Sequence, residues 1–94
     1  MLLRITHQDA GTLKLEGRVV QPFIELLERE CAELLGVPGA VTLDLSSVTF
    51  VDRTGVESLK RLHRRGVVIR GCSDAVASIL EAEHIPVERA GVNR

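Results

Sequence analysis

Asp52, Arg53, Thr54, Gly55 and Glu57 set two acids, a base and a hydroxyl around a lone glycine in the run "FVDRTGVE", residues 50–57. Such residues can serve as a catalytic turn, a phosphate cradle or a surface read by another protein. General acid–base chemistry wants a titrating partner. Arg53 instead holds a neighbouring carboxylate ionised, and no histidine falls in the run. A phosphate loop wants a series of glycines, and Gly55 stands alone. Thr54 and Glu57 have capping-box spacing: the Thr54 oxygen can accept from the Glu57 amide while the Glu57 carboxylate reaches back to the Thr54 amide. A helix is therefore expected to start at Thr54, with Asp52 in the turn ahead of it accepting backbone hydrogen bonds.

The other chemically able side chains are scattered. Lys60, Arg61, His63, Arg64 and Arg65 sit at the far end of the same helix, where positive charge complements the dipole, and read as a solvated face. His7, His63 and His84 form no HxxxH pair and do not join a cysteine at zinc-like spacing, so neither metal nor cofactor is expected. Ser46 and Ser47 have no helper base and read as turn chemistry at the end of a strand. Cys31 and Cys72 lie far apart and read as idle reduced thiols. The chain is not expected to be an enzyme.

The elements that position these residues follow from hydrophobic period. Leu3 and Ile5 alternate with Arg4 and Thr6, and Leu13 and Leu15 with Lys14 and Glu16, about a turn at Asp9-Ala10-Gly11. An antiparallel hairpin results. "PFIELLERECAELLG" spaces Phe23, Leu27, Cys31, Leu34 and Leu35 as one helical face, with Pro22 suited to the first helical position and Gly36 to the stop. "VTLDLS" sends Val41, Leu43 and Leu45 one way and Thr42, Asp44 and Ser46 the other, so the second sheet face is expected to be polar and open. Val56, Leu59 and Leu62 mark the helix after the 50–57 loop, and "VVIRG" is a short strand. "SDAVASILEAEH" is a capped helix with Val76, Ile79 and Leu80 inward. Beyond Ile85 the pattern fades into a short edge strand or a frayed end. The order predicts an α/β fold: a single mixed sheet of four to five strands, an N-terminal antiparallel hairpin followed by βαβ crossovers, with helices mainly on one face.

Size and charge narrow the partners. The 94 residues make a single domain, 1–94, and with two Phe, no Trp and no Tyr the core is aliphatic. A net charge of −1 and 2% aromatic residues give neither attraction to phosphate backbones nor a stacking platform, so nucleic acid is not an expected partner. No apolar run nears the ~20 residues of a membrane span, and the N-terminus breaks at Arg4 and His7 before a signal sequence forms. Direct membrane insertion is not expected, and a cytoplasmic location is.

The run "LDLSSVTFVDRTGVESLKRL", residues 43–62, together with the element order, resembles a STAS domain. That family's usual signature is a strand ending Asp-Leu-Ser, an apolar-x-apolar-x-Asp step, then Ser or Thr, a small residue and Gly opening a helix. Asp44-Leu45-Ser46, Val48, Phe50, Asp52, Thr54 and Gly55 fit it, and the resemblance covers roughly residues 2–85. It implies a non-catalytic interaction module like the anti-sigma-factor antagonists of bacterial partner switching, contacting a kinase-like anti-sigma factor through Asp52, Arg53, Thr54, Gly55, Glu57 and Lys60. In those members a phosphorylated Ser or Thr directly follows the motif Asp. Arg53 stands there, and Val20 replaces the acid of their Gly-x-Leu-Asp, so the module is expected to work without the usual phosphoswitch. Thr54, one position later, is the remaining candidate for phosphorylation. The chain also resembles the STAS accessory subunit of lipid-transport ABC systems, which binds the ATPase. A third reading is a small-ligand domain for a nucleotide or an acyl chain.

Overall fold

The computed structural model describes residues 3–37 and 39–90. Strands β1 (Leu3–Asp9) and β2 (Thr12–Val19) pair antiparallel. Asp9 Oδ1 closes their turn by accepting from the Gly11 amide at 3.1 Å, the side-chain mimicry of a backbone turn that favours Asp there. Helix α1 (Ile24–Leu35) leads to β3 (Thr42–Val51), α2 (Arg53–Arg64) to β4 (Val68–Arg70), and α3 (Asp74–Glu81) follows. The strands lie in the order β1-β2-β3-β4, with β3 parallel to both neighbours. This is the single mixed α/β sheet that the hydrophobic pattern predicts.

Period-two alternation divides the sheet faces. Leu13, Leu15, Leu43, Leu45 and Ile69 are buried beneath the helices. On the other face Lys14, Asp44 and Arg70 share one cross-strand row, and Arg4 meets Glu16 at 3.8 Å. Alternating charge suits a solvated sheet surface. The helices contribute Leu27 and Cys31 from α1, Leu59 and Leu62 from α2, and Val76, Ala77 and Leu80 from α3 to one continuous apolar core. Burial pushes the Cys31 and Cys72 thiols up to about 11, which keeps both protonated near neutrality.

Several expectations need correction. Strand β3 does not end at Ser46–Ser47 but continues to Val51. Its pairing with β2 shifts between Lys14 and Glu16 and again between Gly17 and Arg18, with an extra β3 residue at each step. Those bulges bring Leu45, Val48 and Val51 all to the core at a spacing that unbroken alternation forbids. Phe50 is turned to the open face instead, 40% exposed, with the Arg18 guanidinium 5.2 Å from its ring centre. Pro22 stands in the turn before α1, its peptide with Gln21 cis, and the helix starts at Ile24. Ile79 is half-buried at the core margin, and Ala77 takes the inward place beside Val76 and Leu80.

Past α3, residues 86–90 run beside β4. The Cys72 amide donates to the Glu88 carbonyl at 2.9 Å and the Ala90 amide to the Cys72 carbonyl at 2.7 Å. Arg89 fastens this segment to α3 through Asp74 at 2.9 Å and Glu81 at 2.6 Å. The expected edge strand is thus a short bridge here, and residues 91–94 lie outside the described residues. Among the described residues, no helix is long and apolar enough to cross a membrane.

Candidate functional site

Asp52 leaves β3 in an extended conformation (φ −86°, ψ −179°) and is the N-cap of α2. The helix therefore begins at Arg53, one residue before the expected start, and the Thr54–Glu57 capping box does not form. The reason is that Asp52 caps the helix at an earlier position and takes the Thr54 hydroxyl as a donor. Asp52 Oδ1 accepts from the Gly55 amide at 2.7 Å and from the Thr54 hydroxyl at 2.8 Å, and a charged carboxylate is the stronger acceptor. Asp52 Oδ2 accepts from the Gln21 amide at 3.3 Å, while the Asp52 amide donates to the Val19 carbonyl at 3.2 Å. One side chain thus staples the end of β2 to the start of α2. Partial burial works to raise the Asp52 pKa, but the hydrogen bonds from Gly55, Thr54 and Gln21 outweigh it and hold the carboxyl below its ordinary value.

The residues singled out from sequence divide by what they leave free. Gly55 is buried, and a Cβ there would lie 2.8 Å from Val51 Cγ1 and against the Val19 carbonyl oxygen. Its part is to let α2 approach the sheet, and it offers no side chain to a partner. The Thr54 hydroxyl is spent on Asp52. Arg53 and Glu57 are exposed and face each other at 3.7 Å across one helical turn, with side-chain exposures of 88% and 55%. Lys60 is half-buried one turn further on. The site is a fixed acid beneath a loose, exposed ion pair.

Beside that pair lies a groove of about 330 Å³ between the α2 N-terminus and the end of α3, its far wall formed by Ile79 of α3 and by Ala82 and Glu83 just past it. Those three residues were missed from sequence, although a half-apolar helix end one element away from the motif is the available signal. A second unforeseen contact joins the helices: the fully buried Ser58 hydroxyl donates to Glu28 Oε2 at 2.6 Å, and Arg61 pairs with the same oxygen. The Ser58 hydrogen bond, with help from Arg61 and Arg65, lowers the Glu28 pKa against the opposing effect of burial. Ser58 on the apolar face of α2, between Val56 and Leu59, was the clue. The histidines lie on β1 (His7, 3.2 Å from Glu30), on α2 (His63) and after α3 (His84). Among the described residues, no group of three His, Cys, Asp or Glu stands close enough to hold a metal.

Sheet order and the capped β3–α2 junction define a small α/β domain with one helical layer. Residues 3–84 match the family model described as "Mlab, STAS domain". That match takes in most of the chain, which belongs to the STAS domain family. No curated protein matches it.

Proposed function

We propose that this STAS-type domain is a non-catalytic docking module that binds a protein partner through the N-terminal half of α2, without a phosphoswitch. The observation that carries the reading is the division of labour at residues 52–57. Asp52 accepts from the Gly55 and Gln21 amides and from the Thr54 hydroxyl, so both side chains are engaged in building the corner, while Arg53 and Glu57 are exposed and only loosely paired. An exposed pair of this kind is worth no more than about 0.5 kcal/mol, so a partner can exchange it for its own charges at little cost.

Arg53 gives the α2 entrance a permanent positive charge where the antagonists it resembles would carry a phosphate of about −1.5 to −2. Partner switching of the anti-sigma type, in a bacterial cytoplasm, is the first assignment, run here by occupancy rather than by phosphorylation. A transport ATPase, as for the accessory subunits of lipid-transport systems, is the second. Arg53 favours it because those members do not depend on the switch.

The test is affinity capture from the source cell's lysate with wild type, Arg53→Glu and Lys60→Glu, followed by identification of captured proteins by mass. A kinase-type anti-sigma factor or a transport ATPase held by wild type and lost from both variants supports the reading, and its identity chooses the assignment. Equal capture by all three removes the α2 face. Stoichiometric phosphate on Thr54, after incubation with a captured kinase and ATP, overturns the unswitched module.

A further inference from the structure

The groove between α2 and α3 restricts what the partner brings, an inference that rests on the docking reading above. Its floor is aliphatic, formed by Val51, Val56, Ile79 and Ala82. Its rim is acidic: Asp52, Glu57 and Glu83 stand against Arg53 alone. Asp52 is kept ionised by its hydrogen bonds, and Glu83 makes no ion pair among the described residues. An apolar or acidic segment laid over this rim would strip water from carboxylates without replacing the lost interactions, which is strongly unfavourable. A cation carried beside an aliphatic anchor satisfies both surfaces, and an arginine fork can bridge two carboxylates.

We propose that the partner inserts an aliphatic side chain between α2 and α3 and sets an arginine or lysine of the same segment against Glu57 and Glu83. The rest of α2 fixes the direction of that segment. Lys60, Arg64 and Arg65 make no ion pair among the described residues, so the end of α2 away from the groove is basic. The segment therefore lies with its cation at the groove and its acidic residues toward Lys60 and Arg64, which follow Arg53 and Glu57 along one side of α2. Reversed, it would meet like charge at both ends, and complementarity of this kind selects register more than affinity.

The test pans a random linear peptide library on phage against wild type, Ile79→Asp and Glu83→Lys. Circular dichroism and melting curves check that each variant folds, and Glu83→Lys, at an exposed position, serves if Ile79→Asp does not. The expected result is a wild-type consensus pairing an aliphatic residue with Arg or Lys, bound at least tenfold more weakly by Ile79→Asp. Glu83→Lys should select against the cation. A consensus without a cation, no enriched peptide, or equal binding by all forms overturns the proposal. So does sedimentation showing a dimer of the wild-type chain that Glu83→Lys dissociates, since the occupant would then be a second copy. Peptides indifferent to both groove variants but lost from Arg53→Glu and Lys60→Glu would overturn the groove and leave the α2 docking face standing. Peptides indifferent to all four would remove both.

Discussion

Replacing Gly55 with alanine sets two effects of opposite sign against each other. Gly55 lies in the first turn of α2, where alanine's helix preference is worth at most about 1 kcal/mol. Against it stands the space available. The new methyl would lie 2.8 Å from Val51 Cγ1 and press on the Val19 carbonyl oxygen. Val51 can shift a methyl, but the Val19 carbonyl accepts the Asp52 amide at 3.2 Å, so displacing it pulls on the junction that caps α2. Overpacking of this kind costs about 1–3 kcal/mol, and the net expectation is a loss of roughly 1–2 kcal/mol. For a domain of this size the melting temperature should fall on the order of 5–15 °C. Urea and thermal denaturation followed by circular dichroism measure the two quantities, with Gly36→Ala as the control, since a Cβ there meets nothing nearer than 3.5 Å. The control should melt at or slightly above wild type. A Gly55→Ala variant as stable as wild type would refute the claim that close approach of α2 to β2 demands glycine.

Asp52→Ala should cost about 0.5–2 kcal/mol as a lost N-cap. Because the folded pKa of Asp52 lies below its ordinary 3.8, the ionised form's stabilisation is present above that value and fades as pH falls through the folded one. Asp52→Asn should therefore lose stability relative to wild type at neutral pH, with the gap narrowing below about pH 4, as read from urea midpoints across a pH series. Arg53→Glu should leave stability within about 0.5 kcal/mol of wild type, since repulsion from Glu57 is offset by a negative charge favoured at a helix N-terminus; a larger drop would disqualify it as a binding probe. Arg89→Ala should free residues 86–90 from α3 and raise the reaction rate of one thiol, Cys72, with a disulfide reagent, while Cys31 stays slow. Equal rates before and after would show that the segment does not depend on the Arg89 pairs to Asp74 and Glu81.

The sheet was legible because its signals are local. Leu13 and Leu15 against Lys14 and Glu16, and Leu43 and Leu45 against Thr42 and Asp44, state a one-sided sheet through pure alternation, and Asp9 and Gly11 state the turn. Past Leu45 that local rule fails. The β3 bulges are set by pairing with β2, which no window on β3 alone contains, so the outward turn of Phe50 and the inward turn of Val51 could not be read. The start of α2 shifted by one residue for a related cause. Thr54 and Glu57 satisfy the capping-box spacing, but Asp52 takes the Gly55 amide and the Thr54 hydroxyl and is also held from behind by Gln21, a contact spanning 31 positions. A tertiary contact decided between two acceptable caps.

Of the candidate site, the sequence motif pointed to the right junction but mixed two kinds of residue. Asp52, Thr54 and Gly55 are what the family's signature shares, and the structure uses all of them to build the β2–β3–α2 corner: a cap, a hydroxyl bonded to that cap, and the absence of a side chain beneath it. Residues so engaged carry little information about a partner, because changing them alters the corner before it alters recognition. Arg53, Glu57, Lys60 and Glu83 make few demands on the fold and lie on or beside the exposed stripe of α2. If recognition is specific to this chain, these are the positions free to encode it. Arg53→Glu and Glu83→Lys should therefore change which proteins or peptides bind while leaving the melting curve in place. Gly55→Ala should move the melting curve, and should weaken binding only in proportion to the fraction unfolded, whereas Asp52→Ala should move it and also take one carboxylate from the rim of the groove.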